Sequence, residues 1–126
     1  MPAKVLVADD DEKFRAVIET GLKAEYTVLS AADGKIGVEM ATKHLPQVIL
    51  VDVIMPHLAG IEMLRALQSD MDTRSIPCII MSASHATPAT QELFAQESNF
   101  FAFLAKPFQI PDLKAKIEQA IASTPK

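Results

Sequence analysis

Residues 48–60 read VILVDVIMPHLAG: four apolar residues, then Asp52, then a segment that contains a proline and ends in a glycine. A short, continuously apolar run is typical of a strand buried on both faces of a parallel sheet. Asp52 would then stand at the carboxyl end of that strand. The run Val5–Ala8 has the same character, and Asp9 and Asp10 follow it directly.

These two runs belong to a regular alternation of strand-like and helix-like segments. The predicted strands are Lys4–Ala8, Thr27–Ala31, Val48–Val51, Cys78–Met81 and Phe100–Ala105. The predicted helices are one that follows the N-cap Asp11, then Lys35–Lys43, Gly60–Ser69 and Pro88–Gln96, and a last one that begins near Pro111. This alternation predicts an α/β fold, a doubly wound five-stranded parallel sheet with helices on both faces.

Composition limits the number of domains and the class of partner. With 126 residues, of which 49% are hydrophobic, the chain fits a single domain over residues 1–126, with a loose tail at 122–126. A net charge of −4 argues against direct nucleic-acid binding, because such domains carry a basic surface. No apolar run approaches the roughly 18 residues of a membrane span. The single cysteine, Cys78, cannot form an internal disulfide, so we expect a cytoplasmic protein.

The acidic residues that follow two of the strands are expected to meet. In the strand order 2-1-3-4-5 of a flavodoxin-like three-layer sandwich, strands 1 and 3 are neighbours and ligands bind beyond their carboxyl ends. Asp9, Asp10 and Asp52 would gather there. Mg²⁺ prefers oxygen ligands, and a carboxylate can also act as a nucleophile. The sequence therefore predicts a magnesium site that contains a nucleophile.

Four motifs stand at the ends of predicted strands: the pair Asp9-Asp10, the loop Asp52–Gly60, Ser82, and Lys106-Pro107-Phe108. Together they resemble the receiver domain of two-component response regulators, and the resemblance covers nearly the whole chain. It implies a switch domain that accepts a phosphoryl group on Asp52 from a sensor histidine kinase or a histidine phosphotransfer protein. Such a domain catalyses its own phosphorylation and usually its own dephosphorylation, and it turns over no metabolite.

The resemblance also implies a role for each residue of the site. The implied metal ligands are Asp9, directly or through water, Asp10, Asp52 and the backbone carbonyl of Ile54. The implied phosphoryl ligands are the Ser82 hydroxyl, the Ala83 N–H and the Lys106 ammonium, and a cis Lys106-Pro107 bond would aim the lysine into the site. Three carboxylates at −3 and one lysine at +1 leave about −2, which one Mg²⁺ would neutralise.

Ser82 and Phe103 are implied to form the switch pair, with Phe103 entering the space that Ser82 vacates on phosphorylation. The face made by the fourth helix, the fifth strand and the fifth helix would then change, and it is the expected homodimer surface. Phe101 is expected on the same strand face as Phe103, where it would extend an apolar patch or pack in the core. Asn99 stands where the family commonly has glycine; asparagine tolerates the left-handed conformation, so the preceding helix can still end there.

The same residues leave two other classes of protein open. A pseudo-receiver would keep the fold as a protein-interaction module without a phosphoryl cycle. A magnesium-dependent phosphatase of the haloacid type would need a second acid two residues after the nucleophile, and Ile54 stands there. The complete set of acids, hydroxyl and lysine favours the receiver over both.

Overall fold

The computed structural model describes residues 2–55, 57–82 and 87–123. Its strands are β1 (Lys4–Ala8), β2 (Thr27–Ala31), β3 (Val48–Asp52), β4 (Cys78–Ser82) and β5 (Phe100–Ala105). Its helices are α1 (Glu12–Leu22), α2 (Gly34–His44), α3 (Gly60–Gln68), α4 (Pro88–Ala95) and α5 (Ile110–Ser123). The ten predicted elements are therefore confirmed, with small shifts at their ends.

The ends of several elements differ from the prediction by one or two residues. β3 and β4 each extend by one residue, so Asp52 and Ser82 are the last residues of their strands rather than the first residues after them. α5 includes Ala122 and Ser123, which were predicted to begin a loose tail. Residues 124–126 lie outside the described part of the chain.

The five strands form one parallel sheet in the predicted order β2-β1-β3-β4-β5. β1 and β3 are neighbours, and Ala8 pairs with Val51 at their carboxyl ends. The chain reverses its winding direction between these two strands, which is where such sheets bind ligands. The doubly wound topology is thus confirmed, and it brings Asp9 beside Asp52.

Two apolar clusters cover the two faces of the sheet, because successive residues of a strand point to opposite sides. Leu6 and Ala8 face a cluster completed by α2, α3 and α4, and Val5 and Val7 face a cluster completed by α1 and α5. The buried helical residues that complete the clusters are Ala41, Met63, Leu64, Leu67 and Phe94 on the first face, and Ile18, Leu22, Leu113, Ile117 and Ala120 on the second. This is the predicted three-layer sandwich. None of the described helices is long and apolar enough to cross a membrane.

A register shift in β5 changes which phenylalanines share a face. Cys78 pairs with Phe100 and the next residue of β4 pairs with Ala102, so Phe101 has no partner in the ladder. An extra residue of this kind breaks the two-residue alternation of a strand. Phe103 consequently shares a face with Phe100, at 5.0 Å between ring centroids, whereas Phe101 packs against the α1–α5 cluster. The prediction that Phe101 and Phe103 lie on one face was wrong.

Asn99 does not adopt the left-handed conformation that the sequence allows there. Among the described non-glycine residues, only Leu45 and His57 have positive φ, at 49° and 68°. Asn99 is instead buried, and its side-chain nitrogen donates to the carbonyl oxygen of Leu64 at 3.0 Å. Its Oδ1 accepts a hydrogen bond from Gln68 Nε2 at 2.8 Å. Asn99 therefore ties β5 to α3 through its side chain rather than ending α4 through its backbone.

Candidate phosphoryl and metal site

The three predicted acids come together at the carboxyl edge of the sheet. Each of Asp9, Asp10 and Asp52 offers one carboxylate oxygen, and these oxygens all lie within 4.8 Å of one another. Asp9 is completely buried, Asp52 is partly buried and Asp10 is exposed. The group therefore extends from the interior of the sheet edge to solvent, which a site open to an incoming ligand requires.

The loop after β1 fixes Asp9 through its backbone and its side chain. The backbone N–H of Asp9 donates to the carbonyl oxygen of Ala31 at 3.1 Å, which continues the β1–β2 ladder. Its Oδ1 accepts from the N–H of Asp11 at 2.9 Å, and its carbonyl oxygen accepts from Arg15 Nη1 at 2.6 Å. Asp11 in turn caps α1 by accepting hydrogen bonds from the N–H groups of residues 13 and 14. The position of the buried carboxylate is thus set by β2 and by the first turn of α1.

Lys106 joins the site from the end of β5. The Lys106-Pro107 bond is cis, as predicted. The backbone N–H of Lys106 donates to the carbonyl oxygen of Ser82 at 2.7 Å. Its Nζ lies 2.6 Å from Oδ2 of Asp9 and 3.8 Å from Oδ1 of Asp52. One ammonium group therefore faces two of the three carboxylates.

Three carboxylates and one lysine leave excess negative charge at this edge, and both burial and the neighbouring acids act on the pKa of Asp52. Burial, followed by repulsion from Asp9, raises the pKa of Asp52 from 3.8 to about 6, although Lys106 and a hydrogen bond from the Val53 N–H oppose the rise. A carboxylate accompanied by other acids and only one lysine favours a further cation. The all-oxygen donor set, partly open to solvent, fits a hard divalent ion such as Mg²⁺.

The loop between β3 and α3 brings the start of α3 against the end of β3. The N–H of Gly60 donates to the carbonyl oxygen of Val53 at 3.1 Å. A Cβ on Gly60 would lie 2.5 Å from the carbonyl oxygen of Asp52, so a side chain at position 60 would displace the end of β3, which carries Asp52. Ile54 is 78% exposed in this loop, and the ligand role of its carbonyl oxygen stays a prediction.

The remaining predicted residues lie on β4 and β5. Ser82 ends β4 and pairs with Ala105 of β5, next to Lys106. Phe103 is half-buried, and its ring packs edge-on against buried Phe94 of α4 with centroids 5.8 Å apart. Ala83 lies outside the described residues. The phosphoryl-binding and switching roles of these residues stay predictions.

Two further residues of the site were missed from the sequence. The apolar periodicity of α1 predicts only a core-facing role for Phe14, but Nζ of Lys106 lies over its ring, 4.0 Å from the centroid. Arg15 was given no role, yet it holds the carbonyl group of Asp9. The apolar periodicity of a helix indicates which side faces the core, and it carries no signal for either contact.

Comparison with known proteins identifies the family. The family model described as the response regulator receiver domain matches residues 5–118. The response regulator PleD of Caulobacter vibrioides is 36% identical over 118 residues, which is 93% of this chain and 26% of PleD. The transcriptional regulatory protein PdtaR of Mycobacterium tuberculosis is 32% identical, over 97% of this chain and 58% of PdtaR. The chain thus spans less than two thirds of these curated relatives.

Solved structures agree with the sequence relatives. The chemotaxis protein CheY4 of Vibrio cholerae superposes with a TM-score of 0.88 at 27% identity, covering 95% of this chain and 99% of CheY4. The receiver domain of a sensor histidine kinase from Pseudomonas aeruginosa, described with a magnesium ion coordinated in its active-site cleft, gives 0.87 at 28% identity. That match covers 98% of this chain and all of the other. The fold, the matched residues and these relatives together show that the chain belongs to the response regulator receiver domain family of two-component signalling.

Proposed function

We propose that this receiver domain is a switch controlled by phosphorylation of Asp52, with a sensor histidine kinase or a histidine phosphotransfer protein as the donor. The observation that carries the proposal is the assembly of Asp9, Asp10, Asp52 and the Lys106 ammonium at one edge of the sheet. In the transfer, a carboxylate oxygen of Asp52 forms a bond to phosphorus as the bond from phosphorus to the donor histidine nitrogen breaks. The electron pair of the broken bond stays on that nitrogen.

Asp52 is better placed than Asp9 to act as the nucleophile. Its side chain is 14% exposed, whereas that of Asp9 is 1% exposed and already paired with Lys106. An anionic acceptor and an anionic donor repel each other, so the site needs positive charge close to Asp52. Lys106 supplies part of that charge in a partly buried position, where it is screened less than at the surface.

Mg²⁺ is the proposed cofactor. Asp10, Asp52 and the carbonyl oxygen of Ile54 would hold it, with Asp9 directly or through water. When bound, Mg²⁺ would neutralise the acids and orient the phosphoryl oxygens. Beyond the effect of burial, repulsion from Asp9 and Asp10 raises the pKa of Asp52, and this repulsion supports the proposal because the cluster holds three acids and one lysine.

The proposed output passes through the face formed by α4, β5 and α5. Ser82 and the Ala83 N–H would bind the phosphoryl group together with Lys106, and Phe103 would follow the movement of Ser82. The contacts of Phe103 with Phe94 and Phe100 support this role, since they link β5 to α4. A homodimer through this face is the proposed active assembly. The net charge of −4 gives no reason to propose a direct nucleic-acid contact, and the proposed location is the cytoplasm.

The pseudo-receiver alternative is not favoured. A module without a phosphoryl cycle has no need to keep three acids and a lysine at one edge of the sheet, and this chain has all four. The receiver is therefore proposed to catalyse its own phosphorylation and dephosphorylation without turning over a metabolite.

Intact-mass measurement with acetyl phosphate tests the proposal. The wild-type protein should gain one phosphoryl group in the presence of Mg²⁺ and none in the presence of a chelator. Asp52→Ala should gain none in either condition, and Asp72→Ala, on an exposed acid outside the carboxylate cluster, should behave as the wild type. An adduct that forms on Asp52→Ala, or one that forms equally well in chelator, would overturn the proposal.

A further inference from the structure

The ammonium group of Lys106 has an aromatic neighbour in addition to the acids. Its Nζ lies over the ring of Phe14, 4.0 Å from the centroid. A lysine ammonium at this distance from a ring face is attracted by the negative face of the π-system. The same Nζ is 2.6 Å from Oδ2 of Asp9. Two carboxylates and a ring face therefore act on one flexible side chain.

Phe14 is itself held from two sides. Its backbone N–H donates to Oδ1 of Asp11, the N-cap of α1, at 3.2 Å. Its ring meets the ring of Phe108 edge-on, with centroids 5.8 Å apart and planes at 82°. Phe108 lies two residues after Lys106, so Phe14 is fixed relative to both the acidic loop and the lysine. Packing in the α1–α5 cluster alone would not require the ring face to lie under an ammonium group.

Because a lysine side chain is flexible, the contact between the Phe14 ring and the Lys106 ammonium can restrict its movement. A lysine carries a point charge on a flexible stem, so ion pairs alone leave its ammonium group free to move between the carboxylates of Asp9 and Asp52. A second attraction to a fixed ring limits that freedom. Lys106 would then remain near Asp52, which is 3.8 Å away, even while a divalent cation competes for Asp9.

We infer that Phe14 is a positioning residue that holds the Lys106 ammonium within reach of the phosphoryl group on Asp52. It acts through Lys106 and touches neither the acceptor nor the donor. The inference rests on the proposed function for its consequence in phosphoryl transfer, whereas the pairing of Phe14 with Lys106 rests on the structure alone.

A double-mutant cycle measures the pairing without any phosphoryl donor. Urea unfolding in chelator would be compared for the wild type, Phe14→Leu, Lys106→Met and the double variant. The destabilisation caused by Phe14→Leu should be smaller in the Lys106→Met background, by about two- to fivefold in the unfolding constant. Phe14→Tyr keeps a ring face and should retain the coupling. Equal destabilisation in both backgrounds would overturn the pairing.

A variant that keeps the shape of the ring separates the effect of its charge distribution from the effect of lost packing. Site-specific replacement of Phe14 by pentafluorophenylalanine reverses the charge distribution of the ring with little change in size. It should raise the unfolding constant of the otherwise wild-type protein, as Phe14→Leu does, and have little effect in the Lys106→Met background. An effect of equal size in both backgrounds would contradict the inference.

The rate of Asp52 phosphorylation by acetyl phosphate with Mg²⁺ then tests the positioning role. Phe14→Leu should slow transfer several-fold at saturating Mg²⁺, and Phe14→Tyr should restore most of the rate. Thermodynamic coupling without any change in rate would reduce Phe14 to a structural role and overturn the inference. A wild-type protein that accepts no phosphoryl group would instead refute the proposed function, and the unfolding cycle would still decide whether Phe14 and Lys106 are coupled.

Discussion

The Nζ of Lys106 lies 2.6 Å from Oδ2 of Asp9, and Asp9 is completely buried. This pair joins the end of β5 to the end of β1 across the sheet. Breaking a buried pair leaves one charge without compensation, which is far more costly than losing a pair at the surface. The relationship therefore gives Lys106 a structural role in addition to its proposed role toward the phosphoryl group.

Replacing Lys106 by Met should destabilise the metal-free protein by about 2–4 kcal/mol, because Asp9 loses its partner. The matched control is Lys114→Met, since the Lys114–Glu25 pair has the same 2.6 Å separation but is much more exposed. That variant should lose less than about 1 kcal/mol. Urea unfolding in chelator measures both. Equal losses for the two variants would show that burial of Asp9 does not set the strength of its pair.

Replacing Asp52 by Asn should stabilise the metal-free protein at neutral pH. Burial and the charge of Asp9 raise the pKa of Asp52 to about 6, above its ordinary value of 3.8. Between these values the folded state holds the proton more tightly than the unfolded state, so stability falls as the pH rises through this window. An asparagine side chain has no proton to lose, so the variant should not show this fall.

The expected gain for Asp52→Asn is about 1–3 kcal/mol at pH 7.5, and it should vanish near pH 3.5. Urea unfolding of both proteins in the presence of a chelator, between pH 3.5 and pH 7.5, measures this difference in unfolding free energy. A gain that is the same at both ends of the range would show that side-chain ionisation is not its cause.

The thiol of Cys78 should not react while the protein is folded. Cys78 is buried, and burial raises its pKa to about 12, so the reactive thiolate is scarce at pH 8. Labelling by a disulfide reagent should proceed only through unfolding, with a rate that rises in urea in parallel with the unfolded fraction. Rapid stoichiometric labelling in native buffer would contradict this packing of β4.

The phosphorylated state is expected to hydrolyse slowly because of Ile54, which lies two residues after the acceptor and is 78% exposed. Its apolar side chain can obstruct a water molecule and cannot orient one. Ile54→Asn should therefore speed the decay of the phosphoryl group several-fold. Ser84, two residues after Ser82, is short and uncharged and lies outside the described residues. Adding Ser84→Glu should speed the decay further, because a carboxylate can activate the water. Ile36→Asn, on another exposed isoleucine, is the matched control and should leave the decay unchanged. Decay in the Ile54→Asn, Ser84→Glu variant that is no faster than in the parent would refute the role of these side chains.

The order of elements and the meeting of the acids could be predicted from the sequence because both follow from simple patterns. Strands buried on both faces read as unbroken apolar runs, as in Val5–Ala8 and Val48–Val51. Parallel strands end at the same edge, so residues that follow them in sequence become neighbours in space. The presence of Lys106 in the site could be predicted because it follows the fifth strand at the same edge and because it matches the receiver motif.

Three features could not be predicted, because each depends on contacts between distant segments. The bulge at Phe101 depends on how β5 pairs with β4, and nothing in the run Phe100–Ala105 marks the extra residue. The side-chain role of Asn99 depends on α3, far earlier in the chain, where Leu64 and Gln68 supply its partners. The ring of Phe14 meets Lys106 only after α1 and β5 have packed against the same edge.

The central claim is that Asp52 forms an acyl phosphate, and borohydride reduction tests it most directly. Borohydride reduces an aspartyl phosphate to homoserine and leaves phosphoserine and phosphohistidine unchanged, so peptide sequencing by mass spectrometry locates the acceptor. After treatment with acetyl phosphate and Mg²⁺, we predict homoserine at position 52, and none at that position when a chelator replaces Mg²⁺. An adduct on Ser82 or His57, or homoserine at position 9 or 10, would contradict the account.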